Sequence, residues 1–487
     1  MIQYHTERQV IILARHSGVL MHISSLFGDY SIGSFGKEAK YFIDFLSDCG
    51  FSYWQVLPFN MIDDHNSPYK SYSSFSGNPY FVDLETLESK GLITKQELEQ
   101  ARQQSPWLCE YDRLRNERFN LLMKASLRVD DKKQLNKFIK NNKYIADFCK
   151  FMALKMANAD AEWTQWKTDR CDKDVLFAWQ FIQYEFFTQW AEIRNYANEK
   201  GIKIIGDIPI YVSHDSSDVW SDTKQFRLDK DGRPTHVAGV PPDYFCEDGQ
   251  LWGNPLYNWD EMKKNGYKWW CDRIRHMSLL FDGVRIDHFR GIESYWAIPA
   301  KAKTAKEGKW IKGPGMSLIK AIKESAGDTQ IIAEDLGDIT PKVAKLVKDS
   351  GFPGMRVFQF GFLSDDDSTH LPHNYPENCI SYTGTHDNNT LLGYLWELDE
   401  ATRQRMLTYC GHMGDWKNGC ESIIRTMLQS HSKLVIMPIQ DVLGFGADTR
   451  INTPGSAEGN WAYRVTKEQI DGIDREKFRR LNRMYFR

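Results

Sequence analysis

The chain has 487 residues, which is long for one hydrophobic core and predicts either two domains or one large barrel with insertions. Its 62 Lys and Arg residues nearly balance its 65 Asp and Glu residues, so the composition offers no basic surface for nucleic acid or for an anionic membrane. We therefore expect an uncharged or weakly charged substrate, no nucleic-acid partner and no membrane partner. The composition leaves the oligomeric state open.

Nine cysteines at scattered spacings form no Cys-x-x-Cys pair, which predicts reduced thiols in a cytoplasmic protein and no zinc site. The first 20 residues mix charged side chains with an apolar patch that is too short for a membrane span or a signal-peptide core. No low-complexity tract and no repeat of solenoid period is visible. We expect one continuous catalytic domain over residues 1–487.

Helix and strand signals alternate along the chain. Apolar residues at helical spacing predict a helix over 37–48, and a strand follows at 53–58. Another helix is predicted from Thr340, as N-cap, to Gly351. Further strands are predicted at 201–212, 281–290, 330–337, 354–362, 379–390 and 434–442, with a less well defined strand before residue 200. About eight strands alternating with helices predict an α/β protein with a (β/α)8 barrel.

Two stretches of the sequence are additional to a minimal (β/α)8 barrel. Residues 84–175 read as mostly helical and polar, which predicts a helical insertion packed on the barrel. Residues 213–275 are poor in strand pattern and rich in Pro, Gly and aromatic residues, so we expect a loop-rich insertion with a lid over the active site. Loop aromatic residues can stack on sugar rings or simply pin the loops to the body; they are Tyr69, Tyr72, Phe75, Tyr80, Tyr244, Phe245, Trp252 and Tyr257.

Three predicted strands lead into a carboxylate. Apolar runs precede Asp287, Glu334 and Asp387, at the carboxyl ends of core strands, where barrel enzymes hold their catalytic groups. An acid in this place can also cap a helix, but Asp335 follows Glu334 and is available for that role. Arg285 lies on the same strand face as Asp287, and a neighbouring cation favours the ionised carboxylate. We predict that the three acids share one pocket.

Six blocks of sequence resemble one family. They are SPYKSYSSFSGNPYFVDL (67–84), GDIPIYVSHDSSDVW (206–220), GVPPDYFCEDGQLWGNPLY (239–257), GVRIDHFRG (283–291), IIAEDLG (331–337) and THDNNT (385–390). In this order they resemble the amylomaltases, the 4-alpha-glucanotransferases of glycoside hydrolase family 77. The resemblance implies a (β/α)8 TIM barrel with helical and loop insertions, no C-terminal β-sandwich, and no metal or organic cofactor.

The resemblance also implies roles for individual residues. Asp287 matches the nucleophile, Glu334 the general acid/base and Asp387 the acid that stabilises the transition state. Arg285 and His386 match substrate-holding residues. Further sugar contacts are implied at Tyr69, Asp215 and Trp252, and Asn254 is a candidate ligand that reads equally well as a turn residue before Pro255. Where many family members have a Gly- and Pro-rich segment, this chain has FNMIDDHN at 59–66.

The expected reaction is the transfer of an α-1,4-glucan segment from a maltooligosaccharide, starch or glycogen-derived donor to the 4-hydroxyl of a glucan or glucose acceptor. Two carboxyls about 5 to 5.5 Å apart support such retaining chemistry, one ionised and one protonated. Hydrolysis is the main alternative within this class. Two alternative functions lie outside this class. One is an enolase-like metal enzyme, which the adjacent Arg285 disfavours, and the other is a non-catalytic glycan-binding protein.

Overall fold

A computed structural model of the chain describes residues 15–242, 247–364, 366–456 and 458–487. Tyr244 and Phe245, considered for sugar stacking, lie outside the described residues, as does most of the amino-terminal segment considered for a targeting signal. The strands in the described residues are β1 His16–Leu20, β2 Tyr53–Gln55, β3 Lys203–Ile208, β4 His236–Val240, β5 Gln250–Pro255, β6 Gly283–Ile286, β7 Ser294–Pro299, β8 Lys309–Lys312, β9 Gln330–Ala333, β10 Gly354–Val357, β11 Cys379–Tyr382 and β12 Leu434–Pro438.

Eight of these strands pair in parallel in the order β10-β11-β12-β1-β2-β3-β6-β9. Between the two ends of this sheet, the Ala333 amide donates to the Pro353 carbonyl (2.9 Å), and Asp335 accepts from the Met355 amide (2.6 Å). These bonds link β9 to β10, so the sheet forms a nearly closed barrel and the predicted fold class is confirmed. Asp335 is therefore used in the barrel closure and does not cap a helix, contrary to the sequence interpretation. The less well defined strand that was expected before residue 200 is β1.

The helices follow the barrel order. In chain order the α-helices are α1 Lys37–Asp48, α2 Leu84–Ser89, α3 Lys95–Gln100, α4 Tyr111–Arg113, α5 Phe119–Ser126, α6 Lys133–Asn141, α7 Lys143–Ala157, α8 Lys173–Glu199, α9 Ser217–Ser221, α10 Trp259–Lys264, α11 Lys268–Leu280, α12 Met316–Ala326, α13 Pro341–Ser350, α14 Leu391–Glu397, α15 Glu400–Tyr409, α16 Gly419–Gln429, α17 Ile439–Leu443, α18 Lys467–Asp471 and α19 Arg475–Met484. The predicted helices at 37–48 and after Thr340 are confirmed. Thr340 accepts the Val343 amide at the start of α13, and Gly351 ends it with a left-handed φ of 68°.

Residues 213–275, which are poor in strand pattern, contain two strands. Strands β4 and β5 lie within this range and join β7 and β8 in an antiparallel sheet of order β5-β4-β7-β8. This pairing is hard to detect in the sequence because it requires a glycine, which carries no strand signal. A Cβ at Gly239 would lie 2.1 Å from the carbonyl oxygen of Gln250. The pairing also shifts register between Val237 and Gly239, which interrupts the alternation that marks a strand.

After β12 the described residues contain the helices α17, α18 and α19 and a long irregular segment between α17 and α18, and they form no β-sandwich. The predicted strand at 354–362 is shorter than expected, because a 3-10 helix replaces it at Phe358–Phe362. Among the described helices, none combines the length and the apolar character that a bilayer crossing requires.

Candidate active site

Asp287 and Glu334 lie side by side at the carboxyl edge of the barrel. They directly follow β6 and β9, which pair in parallel with Ile286 opposite Ala333. Backbone amides fix the Glu334 carboxylate: the His288 amide donates to Oε2 (2.6 Å), and the Leu336 amide donates to Oε1 (2.9 Å). Because the first of these amides belongs to the residue after Asp287, the same short turn positions both acids.

The two acids have different environments. Burial and the nearby Asp287 carboxylate raise the pKa of Glu334 to about 7, against the opposing effects of Arg285 and the two amides. The Asp287 side chain is 31 % exposed and pairs directly with the Arg285 guanidinium (Nη2 to Oδ1, 2.7 Å). The pair therefore combines a carboxylate in direct contact with a guanidinium and a buried carboxyl that gains and loses its proton near neutral pH, as an acid/base catalyst requires.

Arg285 connects Asp287 to Asp207, a residue that sequence reasoning did not select. The guanidinium Nη1 is 2.6 Å from Asp207 Oδ2, and both side chains are buried. Burial raises the pKa of the Asp207 carboxyl, while Arg285 and the Tyr69 hydroxyl favour its ionised form. Asp207 lies one residue before the end of β3, so the strand-end criterion used for the three acids also applied to it.

Tyr69 belongs to this network and not to a freely exposed sugar platform. Its hydroxyl donates to Asp207 Oδ2 (2.6 Å), and its ring stacks on His386 with a centroid separation of 5.1 Å and an interplanar angle of 15°. Burial raises the pKa of the Tyr69 phenol. The ring therefore connects the β3 acid to the histidine beside Asp387.

Asp387 reaches the same site from the loop after β11. His386 Nε2 lies 3.4 Å from Asp387 Oδ2, and the Asp387 side chain is 46 % exposed. Two residues that the sequence analysis missed hold it from the opposite side: Asn452 donates to Oδ1 (2.6 Å), and Arg450 donates to the Asp387 backbone carbonyl (2.6 Å). Asp207, Arg285, Asp287, Glu334 and Asp387 are called the acid cluster below.

The other predicted sugar contacts lie in a separate cavity of about 410 Å³, called the outer cavity below. Trp252 joins the outer cavity to the acid cluster, because its ring packs edge-on against His288 with centroids 4.9 Å apart. Asp215 pairs with Lys155 (2.5 Å), and Asn254 donates to the Val212 carbonyl (2.9 Å). Both therefore already have protein partners.

The unusual 59–66 segment borders the outer cavity. Asp63, Asp64 and His65 are among its lining residues, together with Asp215 and Trp252. Asp63 accepts from the His65 amide (2.9 Å) and lies 3.6 Å from the Lys70 ammonium, so the segment forms a compact turn. In the described residues, no group of three or more His, Cys, Asp or Glu side chains is arranged to hold a metal ion.

A parallel barrel with two adjacent strand-end acids, one paired with a guanidinium and one buried with a raised pKa, has the features of a retaining enzyme that acts on glycosidic bonds. Comparison with known proteins gives the family. A family model described as 4-alpha-glucanotransferase, of glycoside hydrolase family 77, matches residues 21–469. The chain therefore belongs to the 4-alpha-glucanotransferase family.

Individual relatives agree over the full length of the chain. A 4-alpha-glucanotransferase of Clostridium butyricum is 42 % identical over 486 residues, covering 96 % of this chain and 100 % of the relative. One of Streptococcus pneumoniae is 43 % identical over 493 residues, covering 97 % of each. An amylomaltase structure from Streptococcus agalactiae, solved in complex with acarbose, has a TM-score of 0.93 at 38 % identity and covers 97 % of this chain and 99 % of that one.

Proposed function

We propose that this enzyme transfers α-1,4-glucan segments between maltooligosaccharides by a retaining double displacement, with Asp287 as nucleophile, Glu334 as general acid/base and Asp387 as the transition-state-stabilising acid. One observation carries the proposal: the adjacent acids differ in environment, because the Arg285 guanidinium pairs with the Asp287 carboxylate while burial raises the pKa of Glu334 to about 7. Asp287 then attacks the anomeric carbon, and Glu334 protonates the departing glycosidic oxygen.

The supporting groups act on the sugar at the reacting centre. Asp387 and His386 are placed to bind ring hydroxyls and to oppose the positive charge that develops at the anomeric carbon. Arg285 pairs with the Asp287 carboxylate and holds it in place at the end of β6. In the second half-reaction Glu334, now a carboxylate, removes the proton from an acceptor 4-hydroxyl, which attacks the glycosyl enzyme.

Transfer in place of hydrolysis requires a well-held acceptor and little free water. We assign that task to the outer cavity, with Trp252 between it and the acids. We propose that residues 213–275 contribute a lid there and that residues 84–175 form a helical insertion supporting it. The Lys155–Asp215 ion pair, which joins the two segments, supports this arrangement. Tyr69, Asp215 and Asn254 then shape the sugar path largely through their protein partners.

The proposed donors are maltooligosaccharides and starch- or glycogen-derived glucans, which suit a site rich in hydroxyl-binding groups. We propose a cytoplasmic location, supported by the eight described cysteines, all of which are free and six of which are buried.

The decisive experiment is incubation with maltotriose and mass analysis of the products. Transfer predicts a ladder of longer maltooligosaccharides together with glucose. Glucose and maltose alone would show that water is the second nucleophile and would replace the proposal with hydrolysis. The Asp287→Ala variant provides the blank, because it keeps the protein surface but lacks the proposed nucleophile.

A further inference from the structure

The amino-terminal mouth of the barrel, opposite the acid cluster, contains a cavity of about 1120 Å³. All eight barrel strands contribute to it at or just before their first residue, among them His16 of β1, Lys203 of β3 and Lys433 before β12. Its volume slightly exceeds the range of about 300–1,000 Å³ that is typical of small-molecule sites, so a small ligand fits in part of it. The proposed reaction uses none of these residues.

The charge of this cavity departs from that of the whole protein. The chain as a whole carries a formal net charge of −3, yet five Lys and Arg side chains and only two carboxylates line the cavity. Two of the cations are already paired, Arg194 with Asp282 (2.8 Å) and Arg275 with Asp272 (2.9 Å), which leaves Lys203, Lys323 and Lys433 against the single carboxylate Asp328. Within the described parts of the chain, Lys203 and Lys433 have no carboxylate partner.

Strand order brings the unpaired cations around one histidine. The order β12-β1-β2-β3 places Lys433 and Lys203 about three strand spacings apart, or roughly 14 Å, with His16 between them. Two extended lysine side chains can converge on one ligand across that gap. Burial, followed by the positive charges of Lys203, Lys433 and Arg487, lowers the pKa of the His16 ring.

We infer that this mouth, called the basal cavity below, binds a small multivalent anion of the phosphate class between Lys203 and Lys433. A compact ammonium is a suitable partner for a phosphate oxygen. The Ser52 hydroxyl, 3.1 Å from His16 Nδ1, adds a neutral hydrogen-bonding group beside the cations. A third cation, Lys323, lies over the Phe352 ring at 5.5 Å and completes a basic lining on the far side.

The test is calorimetric titration of the full-length protein with inorganic phosphate, at an ionic strength held constant with chloride. We expect saturable binding that weakens at least tenfold in the double variant Lys203→Ala/Lys433→Ala and stays unchanged in Lys140→Ala, a matched exposed lysine on α6. Glucan transfer should be unchanged in the double variant, because the acid cluster lies at the other end of the strands.

Two further measurements make the result decisive. The His16 ring signals, followed by NMR, should shift toward the protonated form as phosphate binds, because an anion offsets the neighbouring positive charges. If chloride alone produces the same shift, or if the double variant binds phosphate as tightly as the parent, the inference is overturned. Tighter binding of a hexose phosphate than of phosphate would identify a phosphoester as the ligand, and equal binding would identify the free ion.

Discussion

At the strand ends, Arg285 joins the carboxylates of Asp207 and Asp287, whereas in the outer cavity Asp215 pairs with Lys155 of helix α7 and Asn254 bonds the Val212 carbonyl. The first region is held by groups on neighbouring strands, whose spacing the barrel fixes. The second is held by contacts between segments distant in sequence, such as Lys155 with Asp215. We propose that the barrel itself supplies the geometry for bond cleavage, while the loops select the group that accepts the sugar.

This difference predicts unequal effects of mutation. Substitutions in the acid cluster should reduce the chemical step strongly, because they remove charge in a site with little water. Substitutions in the outer cavity should mainly change the competition between acceptor and water. Variants of the acid cluster should therefore lower the reaction rate, whereas variants of the outer cavity should change the ratio of hydrolysis to transfer.

The largest effect is expected for Asp287→Ala and Glu334→Ala. Each should lower turnover of maltooligosaccharides by about 10⁴-fold or more, since each removes a group that makes or breaks the glycosidic bond. A glucosyl donor with a very good leaving group needs little protonation, so Glu334→Ala should still form the glycosyl enzyme from it and Asp287→Ala should not. Mass spectrometry of the intact protein detects this intermediate. The opposite pattern would reverse the two assignments.

Asp207→Asn should have the next largest effect. The substitution keeps the shape of the side chain but leaves the buried Arg285 with one anionic partner in place of two. Breaking a buried ion pair costs about 3 kcal/mol, so we expect a similar loss of stability in urea unfolding and a fall in kcat of about 100-fold. Tyr69→Phe is the matched control, because it removes one hydrogen bond to Asp207 and leaves both charges in place. Equal losses in the two variants would argue against the charge explanation.

Sequence patterns predicted those parts of the site that depend on local geometry. The Arg285–Asp287 pair follows from the two-residue period of a strand, and Glu334 follows from its position directly after an apolar run. Asn452 could not be found in this way, because 65 residues separate it from Asp387 and its local sequence carries no signal. Asp207 could have been found, since it too lies at a strand end.

The strands of the fold also differ in how well the sequence predicts them. Barrel strands are short buried runs, so β2, β3, β6, β9, β10, β11 and β12 were predicted, although the predicted ranges were too long. The antiparallel pair β4 and β5 was missed, because Gly239 is required for close approach to Gln250 and therefore breaks the apolar alternation. A strand pair that requires a glycine at the contact offers little hydrophobic pattern by which to predict it.

The activity should depend on pH through Glu334. Its raised pKa of about 7 means that the proton-donating form predominates below that pH and is lost above it. We expect kcat/KM for maltooligosaccharides to fall about tenfold per pH unit on the alkaline side. With the good-leaving-group donor, formation of the glycosyl enzyme should lack this alkaline limb. An identical limb with both donors would assign the titration to another group.

A smaller effect is expected for Asn452→Ala. The amide donates to the half-exposed Asp387 carboxylate, and losing such a bond should lower kcat by about tenfold, with little change in KM or in stability. Asn460→Ala is the matched control, because Asn460 bonds Thr453 and Ser456 in the same segment without contacting Asp387. If the two variants lose activity equally, the effect belongs to the folding of the segment and not to the position of Asp387.

The smallest effect, and the one that tests the outer cavity directly, is expected for Trp252→Ala. Its ring lines the outer cavity and packs edge-on against His288 beside the acids, so its loss should admit water at this junction and weaken the hold on the acceptor sugar. A stacking contact is worth about 1 kcal/mol, which corresponds to a several-fold rise in the ratio of hydrolysis to transfer. Free glucose and reducing ends released per transfer event measure that ratio.

Trp163→Ala is the control for Trp252→Ala, because Trp163 Nε1 donates to the His214 carbonyl (2.9 Å) and fixes a loop near the same cavity without packing on the acid-cluster turn. Trp252→Phe should keep most of the parent ratio, since it retains an aromatic face against His288. A ratio that stays constant in Trp252→Ala, with only lower stability, would show that the ring is a structural support. Water exclusion would then depend on the barrel end itself. The proposal that the strand ends cleave the bond while the loops select the acceptor would be wrong.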